Sequence, residues 1–225
     1  MTERLRPAWP LMLFVVVSAV YVVVDAVAPG AFATLLKACI AASLLVWVLV
    51  ASAGSPPRLL LAGLAFALLG DVLLNLPGTP AFLAGMGAFL VMQLCYIAGF
   101  LHLGAGAWLR AHPWAVAAWL ALWLALNAAI GPMLGELRWP VTVYSLALVS
   151  MAACAVATGR RGIGIGGALF LVSDLLIALR VAGTEIPASG VVVMATYCAA
   201  QLLIATGWVL AARHRSPQAS AAPTG

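Results

Sequence analysis

LFLVSDLLIAL, residues 169–179, holds a single charged side chain, Asp174, in an otherwise apolar run. The surrounding segment, near 162–182, is long enough to cross a hydrocarbon core of ~30 Å as a helix, which takes roughly 20 residues. Strands of a membrane barrel are shorter and alternate in polarity, and this segment does neither. A second word of the same kind, LLGDVLLNL at 68–76, sets Asp71 inside a segment near 57–76. An ionised side chain at such a depth costs at least ~2.5–3.5 kcal/mol, so an intramembrane carboxylate is a functional candidate.

Working outward, the chain divides into eight such segments, near 9–28, 31–52, 57–76, 80–103, 113–131, 139–158, 162–182 and 189–211. Turn or charge signals separate them: Pro29-Gly30, Pro56-Pro57-Arg58, Pro77-Gly78, Arg110 to Pro113, Gly131 to Pro140, Arg160-Arg161 and Pro187. With 65% hydrophobic and only 8% charged residues, an ordinary soluble domain is excluded. The expected fold is an all-α membrane protein of eight transmembrane helices. It forms one domain over 1–212, followed by a disordered cytoplasmic tail at 213–225. The net charge of +5 is no nucleic-acid signal, because the basic residues are spread over alternate connections. With the N-terminus inside, Arg4, Arg6, Arg58, Arg110, Arg160, Arg161, Arg213 and Arg215 share one side. The other side keeps Arg138 and Arg180, each near an acidic residue, Glu136 and Glu185. Such asymmetry puts both termini in the cytoplasm. A bacterial inner membrane is the expected location. A cleaved leader is disfavoured, because the first apolar stretch is long for one and carries Asp25.

The two aspartates share a depth. Asp71 is thirteen residues beyond Arg58 and Asp174 thirteen beyond Arg161, on helices of the same sense. Each therefore lies ~20 Å from the inner boundary. Asn75 stands one turn above Asp71, while Lys37 and Asn127 occupy the same half of their own segments. Gln93 and Tyr96 share one face of the fourth segment, and Tyr197 and Gln201 one face of the eighth. These residues predict a polar chamber, with Asp71 and Asp174 as catalytic groups. Lys37, Asn75, Gln93, Tyr96, Asn127, Tyr197 and Gln201 are its candidate substrate-binding walls. The order aspartate, then polar and tyrosine residues, occurs in both halves, which suggests a parallel four-plus-four repeat. No metal site is expected, since His102, His112 and His214 fall at helix ends far from the aspartates. Cys39, Cys95, Cys154 and Cys198 lack paired spacing and read as small packing residues. RRGIGIGGALF reads as small-residue helix packing; it has neither the strand nor the spacing of a nucleotide loop.

Four words occur in order: ALLGDVLLNL, FLAGMGAFLVMQLCYIAGF, GGALFLVSDLLIAL and YCAAQLLIATGW. In these the chain resembles the YhhN family of lysoplasmalogenases, and the region around Lys37 fits the same pattern. The resemblance implies an eight-helix enzyme that hydrolyses the vinyl-ether bond of lysoplasmalogens. The products are a fatty aldehyde and glycerophosphoethanolamine or glycerophosphocholine. It implies Asp71 and Asp174 as the catalytic carboxylates, no cofactor, and a lysophospholipid drawn from the bilayer as partner. Gln93 stands where the family word usually has His, and an amide cannot relay a proton near neutral pH. The chemistry suits paired carboxyls: one protonates the alkene carbon distal to oxygen, and an ionised second supports the oxocarbenium-like cation and the incoming water. Which aspartate is the acid is open at this level. Two other classes fit the paired carboxylates. One is a transporter or lipid-binding protein, the other a family member that has kept the fold and lost the reaction.

Overall fold

Proline, glycine and arginine punctuate this chain into helices, and the computed structural model describes residues 9–27, 31–52, 56–184 and 186–219. Among the described residues the regular structure is entirely helical. In chain order the helices are α1 (Trp9–Val27), α2 (Ala31–Ala51), α3 (Arg58–Leu73), α4 (Thr79–His102), α5 (Ala105–Ala111), α6 (Pro113–Ile130), α7 (Arg138–Ala157), α8 (Arg161–Val181) and α9 (Ser189–Ala219). Two 3-10 turns, Gly131–Met133 and Gly135–Leu137, join α6 to α7. Each expected segment coincides with a helix. Five stretches are long and apolar enough to cross a bilayer: Thr79–His102, Pro113–Met133, Gly135–Ala157, Arg161–Val181 and Ser189–Arg213.

The helix ends follow from local chemistry. Pro80 and Pro113 occupy first turns, where the missing N–H would have no partner. Gly78, with φ 97°, turns the chain into α4, and Gly104, with φ 104°, ends that helix. The second of these turns creates a feature the apolar pattern does not announce. Residues 105–111 form the short α5 rather than an irregular connection: between Gly104 and Pro113, the helix formers Ala105, Ala107, Leu109, Arg110 and Ala111 outnumber Gly106 and Trp108. Conversely, α3 stops at Leu73 instead of continuing to residue 76, and Asn75 sits in the turn that follows. At the opposite end of the bundle, arginines satisfy helix C-terminal carbonyls. Arg213 donates to Ala51 O at 2.7 Å and Arg160 to Leu103 O at 3.2 Å. The tail expected from residue 213 falls partly on α9; residues 220–225 and the Pro29-Gly30 break lie outside the described residues.

Packing order repeats along the chain. α2 lies on α3 and α3 on α4; α7 lies on α8 and α8 on α9. The two runs also cross, α4 against α7 and α9 against α2. The core between them buries Phe14, Trp47, Tyr96, Phe100, Met151, Ile163 and Phe170. α6 buries little beyond Ala115 and Ile130 and leaves Leu120, Leu122 and Leu124 exposed. In water such a face would be unfavourable, whereas lipid tails solvate it. Close helix contact depends on small residues. A Cβ at Gly70 would come within 2.7 Å of the Phe89 ring, and one at Gly166 within 2.9 Å of Ala200 O. The missing Cβ lets α3 lie close on α4 at Gly70, next to Asp71, and α8 close on α9 at Gly166, two turns before Asp174.

Candidate active site

α3 and α8 begin at Arg58 and Arg161, so each aspartate stands thirteen residues into its helix. Both line one cavity of about 90 Å³ between α2, α3, α4, α7, α8 and α9. Lys37, Tyr144, Ser173 and Tyr197 supply its other polar groups; Phe82, Met86, Phe89, Ile177 and Met194 are among the apolar residues of the remaining wall. An apolar chamber with a few converging polar groups is the usual form of a small-molecule site.

The two carboxylates have different company. Asp71, 2% exposed, accepts the Lys37 ammonium on Oδ1 at 3.3 Å and the Tyr197 hydroxyl on Oδ2 at 2.7 Å. Behind Tyr197, Gln201 Nε2 donates to its Oη at 3.4 Å. Tyr96 in turn donates to Gln201 Oε1 at 2.7 Å. Asp174 accepts the Tyr144 hydroxyl on Oδ2 at 2.5 Å, and no cation pairs with it among the described residues. A buried carboxylate beside an ammonium is favoured in its charged form; one in contact only with a neutral phenol and apolar groups is not.

The other candidate residues fall at varying distances from this chamber. Lys37 and Tyr197 form part of the wall. Tyr96 and Gln201 are fully enclosed one layer behind, where they orient Tyr197 and do not face the cavity. Gln93 is also enclosed and faces the Tyr144 hydroxyl, yet neither of its amide atoms reaches a partner at hydrogen-bond distance among the described residues. Asn75 Nδ2 donates to Asp71 O at 3.0 Å, so it caps the end of α3 and lines an outer cavity instead. Asn127 donates to Trp123 O at 2.9 Å and Ser145 Oγ at 3.1 Å. It lines a separate recess of about 50 Å³ that shares Tyr144 and Asp174 with the main chamber.

Tyr144 is the residue that sequence reading misses. A tyrosine in an apolar helix is normally a packing residue, and its partner lies on another helix. A signal does exist in retrospect. Tyr144 is six residues from the start of α7 and Lys37 six from the start of α2. Each is the partner of an aspartate on the next long helix. Ser173 is a second omission. Its hydroxyl donates to Val193 O at 3.0 Å and ties α8 to α9 beside Asp174.

An all-helical chain with several membrane-length segments, and with paired carboxylates in an enclosed apolar chamber, defines a class of polytopic membrane protein with a buried polar site. Within that class the chain belongs to the YhhN family, whose profile matches residues 32–208. It is 35% identical over 179 residues to lysoplasmalogenases of Mycobacterium bovis and Mycobacterium tuberculosis, covering 76% of this chain and 67% of theirs. It is 34% identical over 179 residues to human lysoplasmalogenase TMEM86B, covering 77% of this chain and 74% of that one. No solved structure matches the chain.

Proposed function

We propose that this protein is a membrane hydrolase that cleaves the vinyl-ether bond of a lysoplasmalogen, with Asp174 as general acid and Asp71 as the ionised partner. The observation that carries the assignment of roles is the unequal pairing of two carboxylates on one cavity. Asp71 has Lys37 at 3.3 Å; among the described residues Asp174 has only the Tyr144 phenol. A carboxyl without a cation in an apolar chamber holds its proton, which is the state an acid catalyst needs. The similarity to lysoplasmalogenases supports the substrate class.

The reaction then runs as follows. The Asp174 proton moves to the alkene carbon distal to oxygen, and the remaining π electrons shift to give an oxocarbenium cation. Asp71, held by Lys37 and Tyr197, is the negative charge that stabilises it. Water adds to the cationic carbon and gives its proton to a carboxylate. The hemiacetal then breaks its C–O bond to release aldehyde and glycerol hydroxyl. Gln93 takes no proton in this scheme, because it does not reach the chamber. Its amide lies behind Tyr144, whose hydroxyl is directed by Asp174.

The same reading has eight helices, α1–α4 and α6–α9, spanning the bilayer with both termini on the arginine-rich side. The halves are parallel copies, α2 answering to α7 and α3 to α8. Support comes from the shared offsets of Lys37 with Tyr144 and of Asp71 with Asp174, and from the crossed packing of α4 on α7 and α9 on α2. A cytoplasmic membrane fits the charge bias.

Purified protein incubated with lysoplasmenylethanolamine in D₂O should release aldehyde carrying one deuterium at carbon 2. Asp174→Asn should stop release while the protein remains folded. Aldehyde formed without deuterium, or undiminished turnover in both Asp71→Asn and Asp174→Asn, would end the acid–base mechanism.

A further inference from the structure

The main chamber continues into a wider cavity of about 480 Å³ at the end of the bundle where α3 turns into α4 and α8 into α9. Lys37, Leu74, Phe82, Ile177 and Val181 are among the residues common to both. The wider part differs in chemistry: it adds Tyr21, Asn75 and Arg180. Among the described residues no carboxylate lines it, so its two charged groups are both cations. Lys37 spans the junction, giving Asp71 one of its three ammonium donors and leaving others for the outer space. Arg180 occupies the last turn of α8, is exposed, and has no hydrogen-bond or acidic partner among the described residues.

We propose that this outer cavity is an anion site for the phosphodiester of a lysophospholipid, with Arg180 as the headgroup-reading residue. The inference rests on the functional reading above and adds to it a specificity determinant. Spacing supports it. Arg180 lies six residues beyond Asp174, a rise of ~9 Å along α8. In a lysoplasmalogen seven bonds separate the protonated alkene carbon from phosphorus, an extended reach of ~8 Å by ordinary bond geometry. A lipid whose alkene touches Asp174 therefore brings its phosphate level with Arg180, while its alkenyl chain stays among the apolar walls. A guanidinium suits this task, since its planar fork can engage two phosphate oxygens at once.

The bland alternative is that Arg180 merely complements the α8 C-terminus, where a cation is favourable. Binding separates the two without needing turnover. The probes are 1-O-hexadecyl-glycerophosphoethanolamine, which has no vinyl ether to cleave, 1-O-hexadecylglycerol, which lacks the phosphate, and glycerophosphoethanolamine, which lacks the chain. The phospholipid should raise the thermal midpoint of the detergent-purified protein well above the effect of hexadecylglycerol. In Arg180→Gln its half-saturating concentration should rise at least tenfold, and Arg180→Lys should recover part of that loss. Equal protection by the two lipids in the parent protein would overturn the proposal, as would an unchanged half-saturating concentration in Arg180→Gln. Glycerophosphoethanolamine protecting as well as the phospholipid would replace the lipid site by one for free phosphodiesters. A parent protein that binds the phospholipid in this pattern but never releases aldehyde would sink the hydrolase reading and leave the headgroup site standing.

Discussion

Replacing Lys37 with methionine tests the asymmetry on which the proposed mechanism depends. The side chains of Lys37 and Asp71 are 12% and 3% exposed and meet at 3.3 Å. At an effective dielectric of ~20 that separation is worth about 5 kcal/mol of attraction. Removing one member of a buried pair typically costs ~3–5 kcal/mol, because the other charge is left without compensation. Methionine keeps the volume and the apolar stem, so the loss is electrostatic. For a chain of this size the thermal midpoint in detergent should fall on the order of 10 °C. Asp71 should respond by taking up a proton, which removes the negative charge opposite the oxocarbenium ion. Aldehyde release should then drop by about 10²-fold or more, the usual share of a positioned acid–base group. The double variant Lys37→Met/Asp71→Asn removes both charges. It should be more stable than Lys37→Met alone and equally inactive. Unchanged stability and turnover in Lys37→Met, or strictly additive losses in the double variant, would refute the pairing as the reason Asp71 stays charged.

Three further outcomes follow from the same geometry. Tyr144→Phe removes the hydroxyl that donates to Asp174 and should lower kcat by roughly 10–100-fold with little change in KM, in line with the loss of one hydrogen bond to a charged or reacting group; equal kcat would show that Asp174 does not need this donor. Tyr197→Phe leaves Asp71 with its lysine alone and should cost stability of about 1–2 kcal/mol, read by thermal unfolding. Gly70→Ala pushes a methyl to within 2.7 Å of Phe89, a ring in edge contact with Tyr197 at 6.0 Å. It should destabilise the fold by ~1–3 kcal/mol as an overpacked interface does. Gly87→Ala, with nothing within 4 Å, is the control and should be neutral or stabilising, since alanine is the better helix former.

Much of this is legible in one dimension because a bilayer is a demanding solvent. It requires every backbone group to be paired within its own segment, so long apolar runs become helices whatever their neighbours. It penalises stray charge, so Asp71 and Asp174 stand out against their surroundings before any contact is known. Periodicity along a helix also gives depth, and equal spacing from Arg58 and Arg161 levels the two carboxyls. Lateral relations have no such signature. Tyr144 and Tyr197 look alike in sequence to any aromatic packing residue, and only helix adjacency assigns each to its aspartate. Tyr96, Gln201 and Gln93 share helix faces with chamber residues, yet face a neighbouring helix and are sealed behind the wall.

The sequence by itself determined the all-helical character, the position of most helix breaks and the shared level of the two acids, because solvent preference and helical rise act locally along the chain. Tertiary structure alone decided that Lys37 joins Asp71 while Asp174 receives a neutral phenol. It also decided that one cavity runs between them and widens towards Arg180. Those facts depend on which helices touch and on how far a glycine lets them approach, and packing of that kind is a property of surfaces far apart in the chain.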